Sequence, residues 1–212
     1  MTAPPTSQLS RIRDEAALRR RFDAPPPHVR LRQLDRLEAH SRRFIAAAPL
    51  LLIASCHSRY GVDVSPRGDA PGFVKVLDDR RIVIPDRPGN NRLDTLANIL
   101  DTPSVGTLFL IPGIRETLRI NGSAIVSDEH ALREACTVNR RVPQLVIVVE
   151  IRELFLHCGK ALIRSRLWED AYRLPQAQMP GLAQMTADQI GRTDRLEGIQ
   201  AAVEWNYREN LY

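Results

Sequence analysis

A chain of 212 residues with 43% apolar and 26% charged side chains can build one well-packed core with appended helices and is too short for two independent ones. That apolar share also excludes a disordered chain. The formal charge of +5 is carried almost wholly by arginines interleaved with acids, as in Arg11-Ile12-Arg13-Asp14-Glu15, and aromatics make up only 5%; this argues against a phosphate-tracking stripe and against nucleic acid as a partner.

The first expected helix is capped by Ser7 and runs through Leu9, Ile12, Ala16, Ala17 and Phe22 to the Pro25-Pro26-Pro27 stop. A second places Leu31, Leu34, Leu37 and Phe44 on one face and closes at Pro49. From Leu50 the texture turns to β-prone runs punctuated by Gly, Pro and Asp: residues 51–55, 61–65, 72–77 and 81–85. A short helix over 94–100 precedes strands at 105–111, 116–126 and 145–151, with another helix at 128–137 between the last two. The unbroken Leu145-Val146-Ile147-Val148-Val149 run suits a strand covered on both faces. The tail from Ala161 is mixed and helical, ending in the segment over 196–212. Together these elements predict an α+β, mainly β, chain with a small closed or split barrel.

Cys56, Cys136 and Cys158 are far apart with no CxxC pair, so neither a disulfide framework nor a metal site is expected, and the compartment should be reducing. The longest apolar run, 44–56, is broken by Pro49 and too short for a bilayer. Without a hydrophobic leader near the arginines of the N-terminus, a cytoplasmic protein with no membrane partner is expected. His157 beside Cys158 lacks further ligands at zinc spacing. No GxSxG, P-loop or GxGxxG occurs.

Chemistry concentrates where Pro85-Asp86-Arg87-Pro88-Gly89-Asn90-Asn91-Arg92 runs into the helix over 94–100. A helix N-terminus presents unpaired N–H groups and the positive end of its dipole, which suits a phosphate, and Arg92 adds a fork of donors. The competing reading is that Asn90 or Asn91 simply caps the helix while Arg92 is solvated. Lys75 and Lys160 are the chain's only lysines.

This turn, with the run from Ser65 to Leu77 that contains Arg67-Gly68-Asp69 and Gly72-Phe73-Val74-Lys75, residues 98–105, and Leu110-Ile111-Pro112-Gly113 followed by the stretch from Glu116 to Ala124, resembles the FMN-binding pyridoxamine 5'-phosphate oxidase-like proteins, especially a bacterial subgroup of unassigned substrate. The resemblance spans about residues 30–170. It implies an antiparallel split β-barrel, assembled as a homodimer with FMN at the subunit interface. It implies that Lys75 and the Asn90-Asn91-Arg92 turn hold the FMN phosphate, with Asn91 standing where the family has arginine and Arg67 able to supply the missing charge. Arg67 can equally be a surface turn residue. The backbone of Gly72, Phe73 and Val74 and the side chain of Thr117, at a position where the oxidases carry glutamine, would flank the flavin ring. Lys160, Arg164, Ser165 and Trp168 would reach the flavin of the opposite subunit.

The expected layout is a helical appendage over 1–43, a barrel core over 44–160 and a helical segment over 161–212 on the barrel and dimer interface. The expected function is flavin-dependent oxidoreduction of a small-molecule substrate, or with reduced nicotinamide, with no catalytic residue assigned. Vitamin B6 oxidation itself is not expected, because Arg173-Leu174-Pro175 lacks the upstream partner of that enzyme's substrate motif. The alternative is a non-catalytic flavin, haem or deazaflavin module, with His57, His130 or His157 as the candidate haem ligands.

Overall fold

The strands alternate in burial because successive side chains point to opposite faces, so one face of the sheet is core and the other looks outward. The computed structural model describes residues 5–212; the first four residues of the expected appendage lie outside them. The chain divides into two units, one ending at Gln33 and one of Leu34–Tyr212. In the first lie α1 (Glu15–Arg19) and α2 (Pro27–Leu31). In the second follow α3 (Ala39–Ala47), β1 (Leu50–His57), β2 (Gly61–Gly68), β3 (Lys75–Val76), β4 (Arg81–Pro85) and α4 (Asp94–Asp101). After them come β5 (Ser104–Leu110), β6 (Thr117–Ser127), α5 (His130–Glu134), β7 (Val146–His157), α6 (Lys160–Ser165), α7 (Leu182–Gln189) and α8 (Leu196–Glu209).

The seven strands form one antiparallel sheet in the order β2-β1-β5-β6-β7-β4-β3. Its core face is built from lateral rows: Leu51, Phe109 and Leu118 are register partners, as are Ile53, Thr107, Ile120 and Leu154, and all are buried. At Asn121/Gly122 the β6–β7 ladder shifts register. A Cβ at Gly122 would lie 2.0 Å from the Glu150 carbonyl oxygen, so only glycine lets the two backbones approach at this bulge. Val146, Ile147 and Val149 are fully buried, as the continuous apolar run predicts.

No ladder joins the two edge strands, β2 and β3. Instead, side chains span the seam just beyond β2 and β4. Arg87 Nε meets Asp69 Oδ2 at 2.8 Å and Arg87 Nη2 donates to the Cys136 carbonyl at 2.9 Å, while Arg67 Nη2 lies 3.8 Å from Asp86 Oδ1. This is an α+β fold on a split barrel, held across its split by ion pairs.

Several boundaries differ from the sequence expectation. The helix expected from Ser7 is only α1, capped by Asp14, whose side chain accepts from Ala17 N at 2.7 Å. Leu9 and Ile12 are exposed, so no buried stripe supports the earlier turns. The second expected helix is broken in two. Leu34 instead exchanges backbone hydrogen bonds with Leu154 of β7 (3.0 and 2.7 Å), and Leu37 N donates to Asp79 O at 2.7 Å; the edge of β7 that β4 leaves unpaired beyond Glu150 competes successfully with the helical ladder. The strand expected over 72–77 shrinks to β3, because Gly72 takes φ +84° in a turn closed by Phe73 N to Ala70 O. The helix expected over 128–137 is the single turn α5, and β7 runs six residues further than expected, to His157.

A capping box starts α3: Glu38 accepts from His40 N and Ser41 N, both at 2.7 Å, while Ser41 Oγ accepts from Glu38 N at 2.8 Å. Partial burial pushes the Glu38 carboxyl up, but the two amides and the Ser41 hydroxyl outweigh it and hold it below its ordinary value. A depressed carboxyl contributes stability above its unfolded pKa that is lost as pH falls through the folded one. Glu38→Ala should therefore cost about 1 kcal/mol at neutral pH, and the gap between the two urea midpoints should close in acid. A gap that persists in acid would assign the loss to something other than the ionised cap.

Candidate functional site

The turn between β4 and α4 is shaped by two left-handed residues, Asn91 (φ 56°) and Leu93 (φ 60°). Leu93 occupies the N-cap position without a side-chain cap, so the first amides of α4 keep their donors for another acceptor. Asn90 Oδ1 accepts from Arg92 N at 3.1 Å, fixing the turn from within rather than capping the helix. Arg92 is exposed, and its Nε meets Asp94 Oδ2 at 2.8 Å. Thr95 is the second residue of α4; it is 2% exposed, and its Oγ1 is buried without a hydrogen-bond partner. An orphaned hydroxyl there costs about 1–3 kcal/mol unless something satisfies it, a feature the sequence reading missed.

Lys75 sits on β3 opposite Val83 and folds its Nζ onto the Gly72 carbonyl at 2.9 Å. Burial pushes the Cys136 thiol up, while the nearby positive charges of Lys75 and Arg87 act the other way. Gly72 makes the turn, and Phe73 and Val74 are core. Arg67 donates from Nη1 to its neighbour's carbonyl, Pro66 O, at 3.0 Å, and its buried Nε has no partner. Its carboxylate neighbour is Asp86, whose pKa burial raises against the pull of Arg67. The structure therefore joins Arg67 to the barrel seam through a residue that was not singled out from sequence.

Thr117 opens β6 and pairs with His157 at the end of β7. The next residues on its face, Arg119 and Asn121, border an outward concavity of about 390 Å³. Lys160, Arg164, Ser165 and Trp168 lie on or just after α6 and are exposed. Ser165 Oγ donates to Leu162 O at 3.2 Å, and Trp168 Nε1 donates to Ile114 O at 2.8 Å. That last bond ties the α6 segment to the loop leading into Thr117, so these two groups of expected residues are neighbours. Among the described residues no cluster of three or more His, Cys, Asp or Glu could hold a metal, and no helix is long and apolar enough to cross a membrane.

The strand order, the β4–α4 turn and the Thr117 strand fall within one stretch of sequence, residues 37–158, which matches the family model of pyridoxamine 5'-phosphate oxidase. The chain belongs to the pyridoxamine 5'-phosphate oxidase family. The match leaves α1, α2 and all residues after Cys158 outside it, so the α6 group of expected site residues is not covered by the family assignment. No curated protein matches the chain. Among solved structures it is similar to HupZ of Group A Streptococcus (18% identity, TM-score 0.47, covering 57% of this chain and 93% of that one). It is also similar to General Stress Protein 26 of Bacillus anthracis str. Sterne (10%, 0.43, 54% and 88%) and to an FMN-binding protein of Syntrophomonas wolfei subsp. wolfei (13%, 0.40, 54% and 86%).

Proposed function

We propose that this member of the pyridoxamine 5'-phosphate oxidase family binds FMN and serves as a flavin-dependent oxidoreductase. The observation that carries the reading is the uncapped N-terminus of α4, with the buried, unpartnered Thr95 Oγ1 at its second residue and the exposed Arg92 before it. A phosphate dianion is the kind of group that such a mouth receives. The free amides of α4, Arg92 and the side chains of Asn90 and Asn91 would bind the phosphate, with Lys75 adding charge from β3. Arg67 would offset remaining charge from the seam. Thr117 and the backbone of Gly72, Phe73 and Val74 would orient the flavin ring.

Bound there, FMN would supply hydride or single-electron transfer to a small organic substrate or from a reduced nicotinamide. The chain's own contribution is to hold the cofactor and exclude water around it. In this reading the assembly is a homodimer in which Lys160, Arg164, Ser165 and Trp168 of a second copy complete the site. The helical segment over 161–212 would lie against the barrel and that interface, and the exposed Trp205 and Tyr207 of α8 are large apolar side chains for a partner to cover.

The first test is the visible spectrum of the purified protein, with the released chromophore identified by mass. FMN is the expected result. A colourless protein that refuses added FMN overturns the reading, and uptake of haem or a deazaflavin in its place would reassign the cofactor. Arg92→Ala should weaken FMN by about 1.5 kcal/mol, roughly tenfold in Kd, the low end for a charge-assisted bond because the guanidinium must first leave Asp94. Fluorescence-quenching titration measures it, and an unchanged Kd would free Arg92 of the role.

A further inference from the structure

Asparagine is a weak helix former and is mostly found exposed, yet Asn98 stands in the middle of α4 with 5% of its surface exposed. Two acceptors beneath the helix engage its amide: Nδ2 donates to Ser55 Oγ at 2.9 Å and to Asp63 Oδ2 at 2.6 Å. Ser55 Oγ in turn donates to Asp63 Oδ1 at 3.2 Å. Ser55 and Asp63 are register partners across β1 and β2, so three side chains from three elements close a polar ring between α4 and the hairpin. Asp101 repeats the tie at the last turn of α4, accepting from Ser58 N at 2.7 Å and from Ser58 Oγ at 3.0 Å. Ser58 lies in the turn that joins β1 to β2.

The other groups that hold α4 are apolar. Leu96 and Ile99 are buried in the core, and contacts of that kind are non-directional; they keep the helix on the sheet without fixing its rotation about its own axis. Hydrogen bonds are directional, so the ring fixes that rotation. Thr95 lies one turn before Asn98, and residues three apart on a helix share a face. Where Asn98 is held therefore sets where the unpartnered Thr95 Oγ1 and the first amides of α4 point. The ring is also electrostatically close to the turn: the guanidinium pKa of Arg92 is raised first by Asp94 and further by the charge of Asp63.

We propose that Asn98, through Ser55 and Asp63, is the positioning residue of the phosphate mouth, setting the rotation of α4 so that the Thr95 hydroxyl and the free amides converge on one anion. Asn98 touches no ligand itself. The proposal rests on the reading of that mouth as the FMN phosphate site.

FMN and riboflavin, the same flavin with and without its phosphate, are the probes, titrated into the full-length protein by flavin fluorescence. The native chain should prefer FMN. The triple variant Ser55→Ala, Asp63→Leu and Asn98→Leu replaces the whole ring by apolar groups and strands no charge. It should weaken FMN about tenfold, the worth of one charge-assisted hydrogen bond, and leave riboflavin unchanged. Asn98→Asp alone, which sets two carboxylates against each other, should also lose the preference for FMN. Adding Asp63→Asn to it returns one amide facing one carboxylate and should restore the preference, so this pair decides the matter even where circular dichroism shows the triple variant unfolded. Equal weakening of both flavins would make the ring a support for the fold alone and overturns the proposal. So does a folded triple variant that keeps the native preference, or a swap that restores nothing. A native chain that refuses FMN, or binds both flavins alike, fails the phosphate reading and takes the proposal with it, whereas a native preference that the variants keep fails the proposal alone.

Discussion

Phe109→Ala should lower the stability of the chain by about 3–5 kcal/mol. Phe109 is 0% exposed at the centre of β5, in register with Leu51 of β1 on one side and Leu118 of β6 on the other, both also fully buried. The loss combines the transfer free energy of the ring with the cavity it leaves, and rigid strands on both sides prevent the site from collapsing. Urea unfolding measures it as a lower midpoint at unchanged slope. Leu100→Ala is the control: Leu100 is 78% exposed on α4, and its loss should stay within about 0.5 kcal/mol. Equal effects at the two positions would mean that the row through Phe109 is not where the core is tightly packed.

Where a local pattern and its tertiary setting agree, the sequence was sufficient. β4 spans the expected 81–85, and α4 extends the expected 94–100 by one residue, because Pro85 and Pro103 bracket them and their apolar residues find the core. Where a distant backbone intervenes, local reading failed. Leu34 has helical spacing with Leu31 and Leu37, but its carbonyl and amide are taken by Leu154, 120 positions away in a strand that did not itself read as reaching so far. The site divides in the same way. The Asn90–Arg92 turn was visible because its logic is contained in consecutive residues. Thr95 looked like any core-facing helical residue, and its unmet hydroxyl emerges only once its surroundings are packed. Arg67 was noticed as a charge, whereas its partner Asp86 is set by how the barrel curls. The Arg119–Asn121 concavity depends on Gly106 lying opposite Asn121, a matter of strand register that composition does not reveal.

Arg87→Ala is expected to be nearly as damaging as the core truncation, at about 3–5 kcal/mol, although Arg87 lies in a connection rather than in an element. Its side chain is 13% exposed and that of Asp69 only 1%. Removing the guanidinium strands a buried carboxylate that keeps hydrogen bonds from Ala70 N (2.7 Å) and the Tyr212 hydroxyl (3.0 Å) but loses the charged partner that lies at contact distance. It also leaves the Cys136 carbonyl without the Nη2 donor that ties the turn after α5 to the seam. Asp69→Ala alone should likewise be costly, since it strands the buried guanidinium. The double variant should lose much less than the sum of the two, because most of the loss in each single change comes from the unpaired charge left behind. Additive losses would mean that the two residues act separately and that the seam is closed by something else. A second readout follows from position: Arg87 lies three residues before Asn90, so loosening the seam should displace the turn at the mouth of α4. FMN affinity should then fall in Arg87→Ala and recover partly in the double variant, linking the barrel's side-chain closure to the geometry of the proposed phosphate site.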